Sequence, residues 1–159
     1  MSELKSKVLW SGVVAVIAVV ILILALFNGC QPTLDADSYV SEVNSLIDKN
    51  KSGQNKWNLI LGDSAFVDLC TEPYAQEFER LGQDFIDQAD RFASLRVEED
   101  PSIIIPNYAT YQVYFGTYRS IGEQLQAFAD AIRASNFEQA LVLLDKLEVL
   151  NNQLPVIER

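Results

Sequence analysis

Apolar residues fall into two kinds of pattern along this chain: one unbroken run near the N-terminus, then stripes spaced by three and four residues. The run, residues 8–27 (VLWSGVVAVIAVVILILALF), carries no charge, and Ser11 is its one polar side chain. At about 1.5 Å per residue a helix of this length reaches about 30 Å, the thickness of a bilayer's hydrocarbon core. A helix there satisfies every backbone amide internally. The run therefore predicts a single membrane-spanning helix.

The stripes predict four more helices. Over residues 37–61, Val40, Val43, Ile47, Trp57 and Leu61 share a face, with Asn50 and Gln54 where the stripe would otherwise hold apolar groups. The middle of that helix is its weak part. Gly53 there either divides it or is tolerated at about 1 kcal/mol, and Asp35 or Asp37 is placed to cap its start. Residues 62–72 read as a loop or short helix, and Thr71-Glu72-Pro73 as a helix start with proline in the first turn. Phe78, Leu81, Phe85, Ala89, Phe92 and Leu95 then define a helix over residues 73–96, stopped by Glu98-Glu99-Asp100-Pro101.

The third stripe is the most regular. Tyr111, Phe115 or Tyr114, Tyr118, Ile121, Leu125, Phe128 and Ile132 follow a start at Pro106-Asn107. Asn136 can cap a fourth helix with Phe137, Leu141, Leu144, Leu147 and Leu150 on its apolar face. Around Asn136-Phe137-Glu138-Gln139-Ala140-Leu141, residues 127–147 resemble the helix-turn-helix of a tetratricopeptide repeat, but no 34-residue recurrence follows, so the segment reads as a helical hairpin. Short connections make sequential helices antiparallel neighbours. The expected fold is all-α: one N-terminal transmembrane or signal helix, then an antiparallel four-helix up-down bundle with an aromatic core. Ile103-Ile104-Ile105 is β-prone, but prolines bound it and it is too short to make a sheet.

Charge sets the topology. Lys5 and Lys7 stand before the run against Glu3, and the first charges after it are Asp35 and Asp37. The positive-inside rule puts the N-terminus in the cytoplasm and the rest outside, in the periplasm or at the cell surface. The organisation expected is a cytoplasmic segment at residues 1–7, the span at 8–27, a tether at 28–36 and an exported bundle at 37–159. Gly29-Cys30 followed by Gln31-Pro32-Thr33 resembles the junction of a bacterial lipoprotein signal, which implies lipidation at Cys30 after cleavage. Phe27 and Asn28 depart from that family's preferred residues, and the apolar stretch exceeds the usual 7–15 residues of about that kind of signal. A retained helix and a cleaved lipoprotein both leave the domain at the membrane. Ser11 and Ala15 form a small-xxx-small pair through which two spans would meet as a homodimer.

Composition then removes chemistries. Outside the first seven residues stand 10 basic and 21 acidic residues, a net charge of −11, which disfavours nucleic acid and anionic headgroups. Lys49, Lys51 and Lys56 make only a small basic patch. With no histidine in the chain, histidine-based triads, haem ligation and Glu-x-x-His di-iron sites are absent. Asp84, Asp87 and Asp90, spaced by three, would share a cation or proton if they converged, or form a solvated acidic face with Asp87 paired to Arg91. Cys70 reads as a free, semi-buried thiol, and Asn50-Lys51-Ser52 has the form of a glycosylation sequon.

Two features stand out as contact candidates. Tyr108, Tyr111, Tyr114, Phe115 and Tyr118 form the densest aromatic cluster, in which Tyr108 and Tyr114 are expected to project outward. Ile103, Ile104 and Ile105 lie in a connection that an up-down bundle returns toward the lipid, so they are expected to dock on a membrane partner or the bilayer interface, or else to plug the bundle's end. No catalytic residue, cofactor or metal site is expected. These readings converge on a membrane-anchored, non-enzymatic interaction module, expected to serve a membrane protein complex as an accessory subunit. The alternative is a surface-anchored lipoprotein that binds a small ligand or divalent cation through the bundle interior or acidic face.

Overall fold

The computed structural model describes residues 32–157. The apolar run, Cys30 and the Ser11/Ala15 pair lie outside the described residues. Among those described, no helix is long and apolar enough to cross a membrane, and the fold is all-α. Its helices are α1 (Ala36–Asp63), α2 (Phe66–Leu69), α3 (Glu72–Ser94), α4 (Pro101–Ile104), α5 (Tyr108–Arg133) and α6 (Phe137–Asn152).

Asp35 starts α1 as its cap, in extended geometry, accepting from Ser38 N–H at 2.7 Å. The helix then runs unbroken through Gly53. A Cβ at that position would stand 2.7 Å from Phe85 Cε1, so the glycine lets α1 settle against the Phe85 ring of α3. Its helix-propensity cost of about 1 kcal/mol is thereby offset by packing.

The centre of the molecule is the α3–α5 pair. Phe78, Leu81, Phe85, Ala89 and Phe92 on α3 are buried against Tyr118, Ile121, Leu125 and Phe128 on α5. Gly82 and Gly122 bring the two backbones into contact, since a Cβ on Gly122 would lie 2.5 Å from the Gly82 carbonyl oxygen. Aromatic rings flank this crossing. Phe78 and Phe128 meet edge to face at 5.0 Å, and Phe92 stacks on Phe115 at 4.1 Å. Outside the rings, Arg119 reaches Asp90 at 2.6 Å, and Arg133 reaches Glu79 at 2.6 Å and Glu72 at 3.2 Å.

α1 also packs on α3, and α6 on α5. Ser135, in left-handed geometry at φ 54°, makes the turn into α6, and Asn136 caps it by accepting from Gln139 N–H at 3.2 Å. The buried face of α6 differs from the expected one. Ala140, Leu143 and Leu147 go into the core, whereas Phe137 and Leu141 are exposed and Leu144 and Leu150 only half-buried. The helix is apolar on several sides, and the small Ala140 is fully buried, so periodicity alone does not choose the face.

One end of the unit is marked by the incoming chain. Leu34 N–H donates to the Arg96 carbonyl at 2.9 Å and pairs with Val97 in an isolated parallel bridge. The following connection is not a plain loop. Asp100 accepts from Ser102 N–H at 2.9 Å, and Pro101 at the first helical position starts the single turn of α4. This is the near end; the α1–α2–α3 connection forms the far end.

Candidate functional site

The polar interruptions of the α1 stripe are where the structure departs most from an ordinary apolar core. Gln54 lies on the inner face of α1. Its Oε1 accepts from the Tyr118 hydroxyl at 2.9 Å and its Nε2 donates to Asn151 Oδ1 at 2.7 Å. The relay ties α5, α1 and α6 together through side chains. Burial, reinforced by Tyr114, pushes the Tyr118 phenol pKa up, which keeps it protonated as the relay's donor.

One turn before Gln54, Asn50 is completely buried, and neither atom of its amide finds a hydrogen-bond partner among the described residues. Nearly one turn after it, the buried Trp57 indole N–H is likewise without an acceptor. Such groups cost about 1–3 kcal/mol each when left unsatisfied. Among the described residues three such atoms lie on one face of α1, against a single one, Gln88 Oε1, on α3.

Trp57 also lines a cleft of about 310 Å³ between α1, α2 and α6. Leu61, Phe66, Leu69 and Leu144 supply its apolar walls, and Asn151 and Glu148 stand on its α6 side. Ser64, at the end of α1, lies 3.3 Å from the Tyr74 hydroxyl and adds a polar corner. The cleft exists because α6 meets α1 chiefly through side chains, unlike the α3–α5 backbones that touch at glycines.

The solvent side of α6 is apolar in its own right. Phe137 and Leu141 are one turn apart, Val142 and Val149 one heptad apart, and these four are between 45% and 55% exposed. Glu138, Asp145 and Glu148 are interleaved with them.

The residues expected from sequence to make contacts are split by the structure. Ile103 is 74% exposed, Ile104 is half-buried against the core, and Ile105 is buried. The triplet therefore does not present a single apolar surface, because one helical turn points consecutive residues in different directions. Tyr108 is half-buried, lies 5.8 Å from the Phe92 ring and hydrogen-bonds with Tyr39. Tyr114 does not project outward: it is buried edge-on to Phe115 at 5.3 Å and tilted on Tyr118 at 4.8 Å. Val113, beside it, takes the exposed position.

The three aspartates of α3 each have separate uses. Asp84 pairs with Arg80 at 2.8 Å, Asp87 accepts from Gln83 at 2.7 Å, and Asp90 pairs with Arg119, while Arg91 reaches Glu42 at 3.0 Å. Among the described residues no cluster of three or more His, Cys, Asp or Glu is placed to hold a metal ion. Cys70 is free and half-buried, with its thiol pKa raised by burial. The sequon fails on accessibility, since the Asn50 amide lies inside the core. Asn151 and Glu148 were not foreseen as site residues; the signal available was the Asn50/Gln54 gap in the α1 stripe, which asked for polar partners elsewhere.

No family model matches the chain, and no curated protein or solved structure is significantly similar to it.

Proposed function

We propose that this chain is a membrane-anchored, non-catalytic helical interaction module, serving as an accessory subunit of a membrane protein complex. Residues 8–27 hold it at the membrane with the N-terminus in the cytoplasm, and an antiparallel up-down four-helix bundle is presented outside. The observation that carries the reading is the outer face of α6. Phe137, Leu141, Val142 and Val149 stay exposed although the core beneath them is complete without them, and apolar rows of this kind on a soluble face mark contact surfaces.

The near end adds a second contact. Leu34 pairs with Val97, so the connection bearing Ile103 lies where the chain enters the unit. Ile103 is then available to the bilayer interface or to the part of a partner next to it, while Ile104 and Ile105 hold the bundle's end. Replacing Ile103 with serine is expected to change stability by less than about 0.5 kcal/mol, whereas Ile105→Ser costs several times that.

A photo-reactive residue at Leu141 of the full chain in its native membrane tests the reading. A discrete cross-linked species at Leu141, missing from a control at the exposed Gln76 on α3, is the expected result. Equal, diffuse labelling at both positions would overturn it.

A further inference from the structure

We infer that the occupant of the outer face of α6 is a basic amphipathic helix of another protein, with Lys or Arg running between its apolar residues. The inference rests on the reading of that face as a contact surface, and it names the chemistry of what covers it. Its first ground is geometric. At about 100° of turn per residue, Asp145 and Glu138 fall between Leu141 on one side and Val149 and Val142 on the other, opposite the buried Ala140, Leu143 and Leu147. Both acids are exposed and they stand one heptad apart, so they form a ridge with an apolar row along either flank.

The second ground is electrostatic. Acids of α3 are answered within the chain: Glu77 by Arg80 and Lys56, Asp84 by Arg80, Glu79 by Arg133 and Asp90 by Arg119. Among the described residues Glu138 and Asp145 enter no ion pair, and neither does Glu148 beside Leu141. Lys146, the one cation of α6, stands at the margin of the face, beyond Val142.

No partner covers both apolar rows without taking the ridge between them out of water. Desolvating a carboxylate is costly unless a cation meets it. A wholly apolar partner would therefore strand the acids, and an acidic one would repel them. A second copy of this chain fails for the same reason, since α6 laid antiparallel on α6 sets one ridge against the other. A helix with Lys or Arg between apolar residues satisfies ridge and rows together, docking by its apolar face with matched charge. Because α6 has 16 residues, a partner segment of about four turns spans it.

The experiment uses the full chain in its native membrane, with a photo-reactive residue at Leu141 or at Val149 and mass-spectrometric sequencing of the captured peptide. Both positions are expected to capture one segment of another protein, helical in its spacing and carrying Lys or Arg among its apolar residues. Asp145→Lys should cut the yield at Leu141 at least about tenfold, and Asp145→Asn by less. Asp68→Lys, the same charge change at an exposed position on α2, should leave the yield unaltered. Near-UV circular dichroism of the purified chains checks folding, and Asp145→Asn carries the test if Asp145→Lys unfolds. The inference is overturned if the two positions capture different segments, or if the segment belongs to a second copy of this chain or lacks Lys and Arg. Undiminished capture by a folded Asp145→Lys or Asp145→Asn chain, or an equal loss in Asp68→Lys, overturns it as well. A discrete species at Leu141 alongside any of those outcomes leaves the contact-surface reading standing, whereas no discrete species at Leu141 removes both.

Discussion

The α3–α5 seam and the α1–α6 seam lie in one small helical unit yet solve opposite problems. At the first, Gly82 and Gly122 put backbone against backbone, aromatic rings fill the flanks, and Arg119 and Arg133 clamp the outside. At the second, the helices stand off, one amide relay spans the gap, and Asn50 and Trp57 keep buried polar groups unpartnered. Dense apolar packing yields stability but no free chemistry. The loosely closed seam gives up stability and holds the cleft.

The largest effect should come from Phe85, which is fully buried, faces Gly53 of α1 and lies 5.0 Å from the Tyr118 ring. Phe85→Ala is expected to cost about 3–5 kcal/mol in urea unfolding, because its cavity opens beneath both seams at once. Next comes Gly122→Val, whose Cβ would stand 2.5 Å from a backbone oxygen that cannot rotate away. It should cost about 1–3 kcal/mol or more while leaving the α1–α6 relay's tyrosine environment intact by near-UV circular dichroism. If Gly122→Val is neutral, the contrast between a rigid and a loose seam fails.

The rigid seam was the readable one. On α3 and α5 the sequence alternates large apolar and charged residues at clear helical spacing, so element, face and core followed from periodicity. Asp35, Pro73 and Asn136 placed the helix starts to within a residue or two, since caps and N-terminal prolines act locally. The loose seam was hidden for a physical reason. α6 is apolar on several sides, and which side is buried depends on the fit of Ala140 and Leu143 to α5, a tertiary matter that no stripe encodes. The same holds at Tyr114, which occupies a turn where Val113 and Tyr114 compete for the inside and edge-on aromatic packing decides. The Asn50/Gln54 break in the α1 stripe was visible, but only the structure shows that Asn151 answers Gln54 and that Asn50 goes unanswered.

Two substitutions on α1 therefore sharpen the contrast with opposite signs. Gln54→Leu strands the Tyr118 hydroxyl and the Asn151 oxygen, and is expected to destabilise by about 1–3 kcal/mol. Asn50→Leu removes an amide that has no partner and substitutes a side chain with the same branching, so it should stabilise by about 1 kcal/mol. Both are read from urea midpoints at constant slope. A loss of stability in Asn50→Leu would mean that the amide is satisfied in the folded chain and that the seam is better built than the comparison holds.

The smallest expected effect concerns how α1 is attached to the rigid pair. Glu77 of α3 is held below its ordinary pKa of 4.5, first by the hydrogen bond from Arg80 and further by Lys56 of α1. A carboxylate with a depressed folded pKa stabilises the fold at pH values above its unfolded pKa, and loses that contribution as pH falls through the lower folded value. Unfolding of the native chain should accordingly weaken more steeply below about pH 4.5 than that of Glu77→Gln, with a difference under about 1 kcal/mol at neutral pH because the partners are part-exposed. Lys56 immediately precedes Trp57, so the same variant also asks whether the cleft depends on this clamp. If Glu77→Gln removes the acid slope but leaves the Trp57 indole resonance unmoved, the stand-off between α1 and α6 is set by the interior relay rather than by surface charge, and the two seams are independent in energy as well as in design.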